Sequence, residues 1–197
     1  MSVLILLVVA YLLGSIPFAL VSSRLFGLQD PRTYGSGNPG ATNVLRSGNK
    51  AAAALTLIGD CVKGWIVVWV AMRLGFTVAE AALAGFAAFL GHVFTIFLRF
   101  NGGKGVATAL GVLAGIDWRL ALASLCAWFV VALVSRYSSA ASLASAALSP
   151  IVGYVLFGAD PVIAVLLAMS AVLIWRHTGN IQRLLAGTEG KLGGKKG

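Results

Sequence analysis

Seven apolar runs, at about residues 3–23, 51–73, 78–98, 104–116, 119–135, 138–157 and 161–176, occupy most of this chain, each bounded by charges or turn residues. Runs of this kind belong in a bilayer, where every backbone N–H and C=O must find its partner within the protein; for such segments that means helices. Charged residues make up 11% of the 197, against about 25% in soluble domains, and mean hydropathy is +0.92. The expected architecture is an all-α integral membrane protein of seven transmembrane helices. One domain is expected over residues 1–190, followed by a flexible basic tail at 191–197. A bilayer core takes about 20 helical residues, and the fourth run falls short of that. It either begins at Gly102 or starts below the surface, shielded by neighbouring helices.

Charge sets the orientation. With the N-terminus outside, the inner face receives Arg24, Arg32, Arg46, Lys50, Arg99, Lys104, Arg136, Arg176, Arg183, Lys191, Lys195 and Lys196. The outer face receives only Arg73 and Arg119, with Glu80, Asp117 and Asp160. This imbalance predicts an outer N-terminus and a cytoplasmic C-terminus. It also accounts for the net charge of +9 without nucleic acid, for which no basic helix or RNA-binding motif is present. Cys61 and Cys126 lie in apolar stretches without ligand spacing, so neither a disulfide framework nor a metal site is expected. The start, Met1-Ser2-Val3-Leu4, lacks a basic n-region and a cleavage site and reads as a retained first helix.

Three polar segments interrupt the apolar chain: Gly35 to Arg46, Asn101 to Gly105, and Arg176 to Arg183. They follow spans one, three and seven, so all three are expected on the cytoplasmic side. Glycine frees backbone N–H groups to approach an anion, and fixed Arg and Lys beside them suit phosphate. Gly35 to Gly40 spells G-x-G-x-x-G, but it follows a membrane helix rather than a strand, which excludes the dinucleotide fingerprint. Gly103-Lys104 is not a Walker A loop, since Leu98 stands where its first glycine belongs and no Ser or Thr follows. A plain flexible loop would not need Ser36, Asn38, Thr42, Asn43 and Arg46 together. Nor would a snorkelling Lys104 need Gly102, Gly103 and Gly105 around it; at a helix start it adds charge to a positive helix end. In Arg176-His177-x-x-Asn180-x-x-Arg183 the spacing of three brings Arg176 or His177, Asn180 and Arg183 toward one helical face.

Within the spans, Asp60 and Lys63 stand i, i+3 at a depth where charge is costly. Pairing with each other, and bracing of the cytoplasmic loops, is the expected role. His92 reads as a hydrogen-bonded interior histidine, and Gly111-xxx-Gly115 as a close helix contact.

Taken in order, Gly35-Ser36-Gly37-Asn38-x-Gly40-Ala41-Thr42-Asn43, Gly102-Gly103-Lys104-Gly105-Val106-Ala107-Thr108 and His177-x-x-Asn180-Ile181-x-Arg183-Leu184-Leu185-x-Gly187-x-Glu189 strongly resemble the bacterial acyl-phosphate-dependent glycerol-3-phosphate acyltransferases, the PlsY family. The resemblance runs from Gly14-Ser15-Ile16-Pro17 to Glu189 and includes Asp60-x-x-Lys63-Gly64 and Gly91-His92. Pro39 departs from an aliphatic residue usual in the family, and Ser22-Ser23-Arg24 from a common Lys-containing variant. Neither removes a side chain that the chemistry needs.

The resemblance implies a seven-helix enzyme of the bacterial inner membrane, acting at the start of phospholipid synthesis with its active site facing the cytoplasm. It implies transfer of a fatty acyl group from acyl phosphate to the 1-hydroxyl of sn-glycerol 3-phosphate, giving lysophosphatidic acid and inorganic phosphate. The expected catalytic residues are Ser36, Arg46, Lys104 and His177. Substrate contacts are expected from Gly37, Asn38, Gly40, Thr42, Asn43, Gly102, Gly103, Asn180 and Arg183, with Asp60 and Lys63 supporting them. Thr42 and Asn43 fall to the acyl phosphate; Ser36, Arg46, Lys104, His177 and Asn180 to glycerol 3-phosphate. The His-x4-Asp dyad of thioester-using acyltransferases is absent, because Phe97 and Gln182 stand five residues after His92 and His177. A mixed anhydride has a good leaving group, so positioning and charge stabilisation carry the reaction, with His177 or a substrate phosphate oxygen as base. No cofactor and no metal are expected, since cations already fill that role. The competing class, a transporter of a phosphorylated metabolite, would carry polar residues at mid-depth and repeated halves; beyond Asp60 and Lys63 the spans are nearly devoid of charge, and no internal repeat is evident.

Overall fold

The computed structural model describes residues 2–193, and among these it holds ten α-helices, two short 3-10 turns and no strand. The helices are α1 (Val3–Gly14), α2 (Phe18–Leu25), α3 (Ala41–Val44), α4 (Lys50–Arg73), α5 (Val78–Val93), α6 (Val106–Ile116), α7 (Trp118–Ser135), α8 (Ser138–Phe157), α9 (Val162–Arg176) and α10 (Thr178–Leu185). Five stretches are long and apolar enough to cross a membrane: Val3–Leu25, Lys50–Arg73, Val78–Leu98, Trp118–Ser135 and Ser138–Phe157. The bent pair α9 and α10 would make a sixth, kinked by 57°. The expected fourth span is the 11-residue α6, about 16 Å long, well short of a hydrocarbon core of about 30 Å.

The helices group into two compact units, divided between Ile116 and Asp117. In the first, the run expected as one helix over 3–23 is broken. Pro17 has no N–H to continue the ladder; α1 stops at Gly14 and α2 starts at Phe18. The break frees carbonyls that the apolar surroundings cannot satisfy. Thr95 Oγ1 donates to the Ser15 carbonyl at 2.6 Å and Lys63 Nζ to the Ile16 carbonyl at 2.8 Å. Close helix approach depends on glycine: a Cβ on Gly14 would collide with the Ala88 backbone, and one on Gly91 with the Tyr11 carbonyl, which fastens α1 to α5. Between α4 and α6 the same applies to Gly64 against Thr108 and Gly111 against Cys61, so Gly111 and Gly115 are the close contact expected.

In the second unit α8 packs between α7 and α9. Trp128 Nε1 donates to Ser142 Oγ at 3.2 Å, and Ser170 Oγ to the Ala146 carbonyl at 2.7 Å, so these apolar helices are joined by small polar side chains. At the chain end, Lys191 Nζ lies 5.9 Å from the Tyr137 ring centroid and the Leu192 N–H donates to the Arg136 carbonyl at 2.7 Å. The start of the expected tail is thus tied down; residues 194–197, with Lys195 and Lys196, lie outside the described residues.

Candidate active site

The first polar segment is organised by one buried side chain. Asn43 accepts from the Ser36 N–H at 2.9 Å and donates through Nδ2 to the carbonyls of Pro31 at 2.6 Å and Tyr34 at 3.2 Å. Only 2% exposed, with its amide engaged this way, it braces the loop. Gly35 and Gly37 take φ of +62° and +68°, a conformation that costs other residues more than glycine. A Cβ on Gly35 would strike Asn43 Oδ1 and crowd the Arg46 side chain. Arg46 therefore lies over Gly35, next to Ser36, and Ser36, Thr42 and Arg46 are all exposed on this loop. The adjoining Arg32 grips Asp30, with Nη2 to Oδ2 at 2.6 Å and Nε to Oδ1 at 3.0 Å, and this bond holds the Asp30 carboxyl below its usual range.

The second segment lies where α5 ends. The Gly102 N–H donates to the Val93 carbonyl at 3.0 Å and the Gly103 N–H to the His92 carbonyl at 3.2 Å. These amides, expected to point at an anion, close the loop onto α5. The two residues must still be glycine, because a Cβ on Gly102 would meet the His92 backbone and one on Gly103 the His92 ring. Gly105 turns the chain at φ +87° into α6, which sets Lys104 just before that helix, half-buried.

Beneath this loop is a buried ionic cluster. Lys63 Nζ lies 2.8 Å from Asp60 Oδ1 and 3.0 Å from His92 Nδ1, with His92 Nδ1 also 3.3 Å from Asp60 Oδ1. The expected Asp60–Lys63 pair is present and gains His92 from α5. Pro39 of the first segment and Gly102 and Gly103 of the second line one cavity of about 10 Å³ together with Lys63, His92 and Thr95. The first two polar segments therefore meet above the ionic cluster. A second cavity of about 420 Å³ is lined by apolar Ile16, Leu20, Val21 and Phe97 together with Arg24 and Arg32. Neither arginine was singled out from the sequence; only their cationic character beside a Pro-broken helix could have marked them.

In the second unit the third segment bends at His177, whose Nδ1 lies 2.8 Å from the Leu173 carbonyl. From α10, Asn180 Nδ2 donates to Glu189 Oε1 at 2.6 Å and Arg183 Nε to Oε2 at 2.7 Å; Ser139 Oγ of α8 also donates to Oε1 at 2.7 Å. Burial pushes the Glu189 carboxyl up, but the bonds from Ser139, Asn180 and Arg183 outweigh it and hold it below its ordinary range. Glu189 is the organiser of this segment, a role its place in the motif did not reveal. Among the described residues, no three His, Cys, Asp or Glu come together as a metal ion would need.

Comparison with known proteins identifies the family. A family model described as glycerol-3-phosphate acyltransferase matches residues 4–187. The glycerol-3-phosphate acyltransferase of Aromatoleum aromaticum is 66% identical over 196 residues, covering 100% of both chains. That of Dechloromonas aromatica is 55% identical, over 100% of this chain and 99% of its own. Crystal structures of PlsY, an integral membrane glycerol 3-phosphate acyltransferase, superpose in its glycerol 3-phosphate form with TM-score 0.92 at 39% identity, over 98% of this chain and 96% of that one. Its lysophosphatidic acid form superposes with TM-score 0.91 at 38% identity. The chain belongs to the glycerol-3-phosphate acyltransferase family.

Proposed function

We propose that this protein transfers a fatty acyl group from acyl phosphate to the 1-hydroxyl of sn-glycerol 3-phosphate, releasing lysophosphatidic acid and inorganic phosphate. The observation that carries the acceptor and product is the likeness to PlsY, whose two forms bear glycerol 3-phosphate and lysophosphatidic acid on a chain that matches this one nearly end to end. One cavity supports an acyl phosphate as donor. An acyl phosphate needs an apolar trough for its chain and cations for its phosphate, and the 420 Å³ cavity supplies both through its aliphatic lining and Arg24 and Arg32.

In the first unit glycerol 3-phosphate is assigned to Ser36, Arg46 and Lys104; in the second, His177, Asn180 and Arg183 are the residues whose chemistry suits a phosphate. Gly37, Asn38, Gly40 and Thr42 shape the rim, while Asn43, Gly102 and Gly103 hold the two loops in place. The glycerol hydroxyl oxygen attacks the carbonyl carbon of the anhydride. The resulting oxyanion collapses, the bond from carbonyl carbon to phosphate oxygen breaks, and the electron pair leaves on phosphate. The hydroxyl proton passes to a phosphate oxygen of a substrate. Cations that meet the developing negative charge lower the barrier most, and Arg46 and Lys104 serve that end without a metal.

The positive-inside balance supports an outer N-terminus, seven spans with α6 as a short shielded one, and a site open to the cytoplasm of a bacterial inner membrane. Purified protein in lipid, given labelled glycerol 3-phosphate with palmitoyl phosphate, palmitoyl-CoA or palmitoyl acyl carrier protein, tests the donor. Turnover with palmitoyl phosphate alone, unchanged by chelator, is expected. Turnover that requires a thioester donor would refute the assignment, as would uptake of label into sealed vesicles without ester formation.

A further inference from the structure

We propose that Asp60, Lys63 and His92 form a positioning device in which Lys63 fixes the tautomer and orientation of His92, so that its Nε2 edge packs against the Gly102–Gly103 turn and thereby sets Lys104. This rests on the assignment of Lys104 to the phosphate of glycerol 3-phosphate.

An ammonium offers three donors and no lone pair. Lys63 Nζ has three acceptors around it: Asp60 Oδ1 at 2.8 Å, the Ile16 carbonyl at 2.8 Å and His92 Nδ1 at 3.0 Å. The third contact leaves His92 Nδ1 only the accepting role, and the ring proton sits on Nε2. This tautomer is inferred from the partners. The opposite form, with Nδ1–H donating to Asp60, has the longer contact of 3.3 Å and would set a donor against the ammonium.

The Nε2 edge of the ring packs against the turn. Nε2 is the atom that a Cβ on Gly103 would strike, so the ring edge lies directly against that residue. The same residue's N–H is held by the His92 carbonyl. One histidine therefore grips the turn by both its backbone and its ring, two residues before the break into α6. Its ring and Lys63 also line the 10 Å³ cavity shared with Pro39, room for about one water. A buried ion pair adds little net stability against an apolar substitute, which leaves orientation as the reason for placing one here. Lys63 reaches from α4 to the α1–α2 break, His92 from α5 to the second loop, so the cluster ties the broken helix to the loop that carries Lys104.

The chain has only two histidines, which makes the test direct. Whole protein labelled with 15N at the histidine ring nitrogens, in lipid nanodiscs, gives two ring systems, and a His177→Asn variant assigns them. The expected spectrum of His92 shows a bare Nδ1 and a protonated Nε2. In Lys63→Met the ammonium is gone and Nδ1 should gain a proton, with Asp60 accepting it. A proton on Nδ1 in the unaltered protein overturns the proposal, and that spectrum is decisive even if Lys63→Met does not fold. Kinetically, His92→Gln can return an N–H near the Nε2 position and His92→Asn cannot. KM for glycerol 3-phosphate should rise about tenfold in His92→Asn, more than kcat changes, and largely recover in His92→Gln. Unchanged KM in both variants, or an equal rise in both, overturns the positioning role. Full turnover by Lys104→Ala would instead remove the phosphate assignment and leave the tautomer result standing.

Discussion

In the proposed chemistry Lys104 carries most, because it stands between a glycine turn and the start of α6, where the positive helix end adds to its own charge. Lys104→Ala should lower the acyl-transfer rate by about 10²–10³-fold while the far-ultraviolet spectrum and thermal midpoint stay unchanged; retained turnover would refute its role. Glu189 makes a different prediction. Its carboxyl is held below the ordinary range by Ser139, Asn180 and Arg183, so ionised Glu189 favours the folded state. That contribution is complete above about pH 4.5 and is lost as pH falls through the depressed value. Glu189→Gln should cost about 1–3 kcal/mol at neutral pH, and the gap between its thermal midpoint and that of the unaltered protein should close on acidification. A gap that stays constant through the whole acid range in which the protein remains folded would show that the charge is not what matters. Sequence reasoning found Asn43 and Asn180 as polar residues in the right segments but not what they bond to. Asn43 turns inward to Ser36, Pro31 and Tyr34, and Asn180 to a carboxylate nine residues on. Composition marks a polar residue as unusual; it does not say which way the side chain faces.

Helices were the most legible part of the chain, since apolar runs of bilayer length leave the backbone few alternatives. The shortness of the fourth run was visible in its residue count, and α6 is indeed only 11 residues. The break after Gly14 was not anticipated, although Pro17 was in plain view; a proline can kink a span or end it, and tertiary partners decide. Those partners are Thr95 and Lys63, 80 and 47 residues away from the carbonyls they cap. The Asp60–Lys63 pair was legible because i, i+3 neighbours share a helix face. His92 was legible as a hydrogen-bonded interior histidine but not as the partner of this pair, because it comes from another helix and only packing brings it in. Glycine contacts make the helix pairing testable. Gly111→Val puts side-chain atoms where the Cys61 carbonyl lies, which should cost about 1–3 kcal/mol through overpacking and lower the thermal midpoint in detergent. An unchanged midpoint would mean that α4 and α6 do not depend on this contact.

For the molecule as a whole, acyl transfer from a lipid-soluble donor to a water-soluble acceptor requires that all three polar segments open to one compartment. Twelve inner cations against two outer ones argue for that arrangement, and it is the condition on which the proposed chemistry depends. Single cysteines at Thr42, Asn101 and Arg183, with Asp160 for the opposite face, can be placed in a Cys61→Ala, Cys126→Ala background, since those are the two native thiols. Treated with a membrane-impermeant maleimide in sealed vesicles of known orientation, the cysteines at 42, 101 and 183 should react from the cytoplasmic side only, and the one at 160 from the other side only. A cysteine at 183 that reacts from the side opposite to those at 42 and 101 would contradict the account, because no single site could then hold both phosphates.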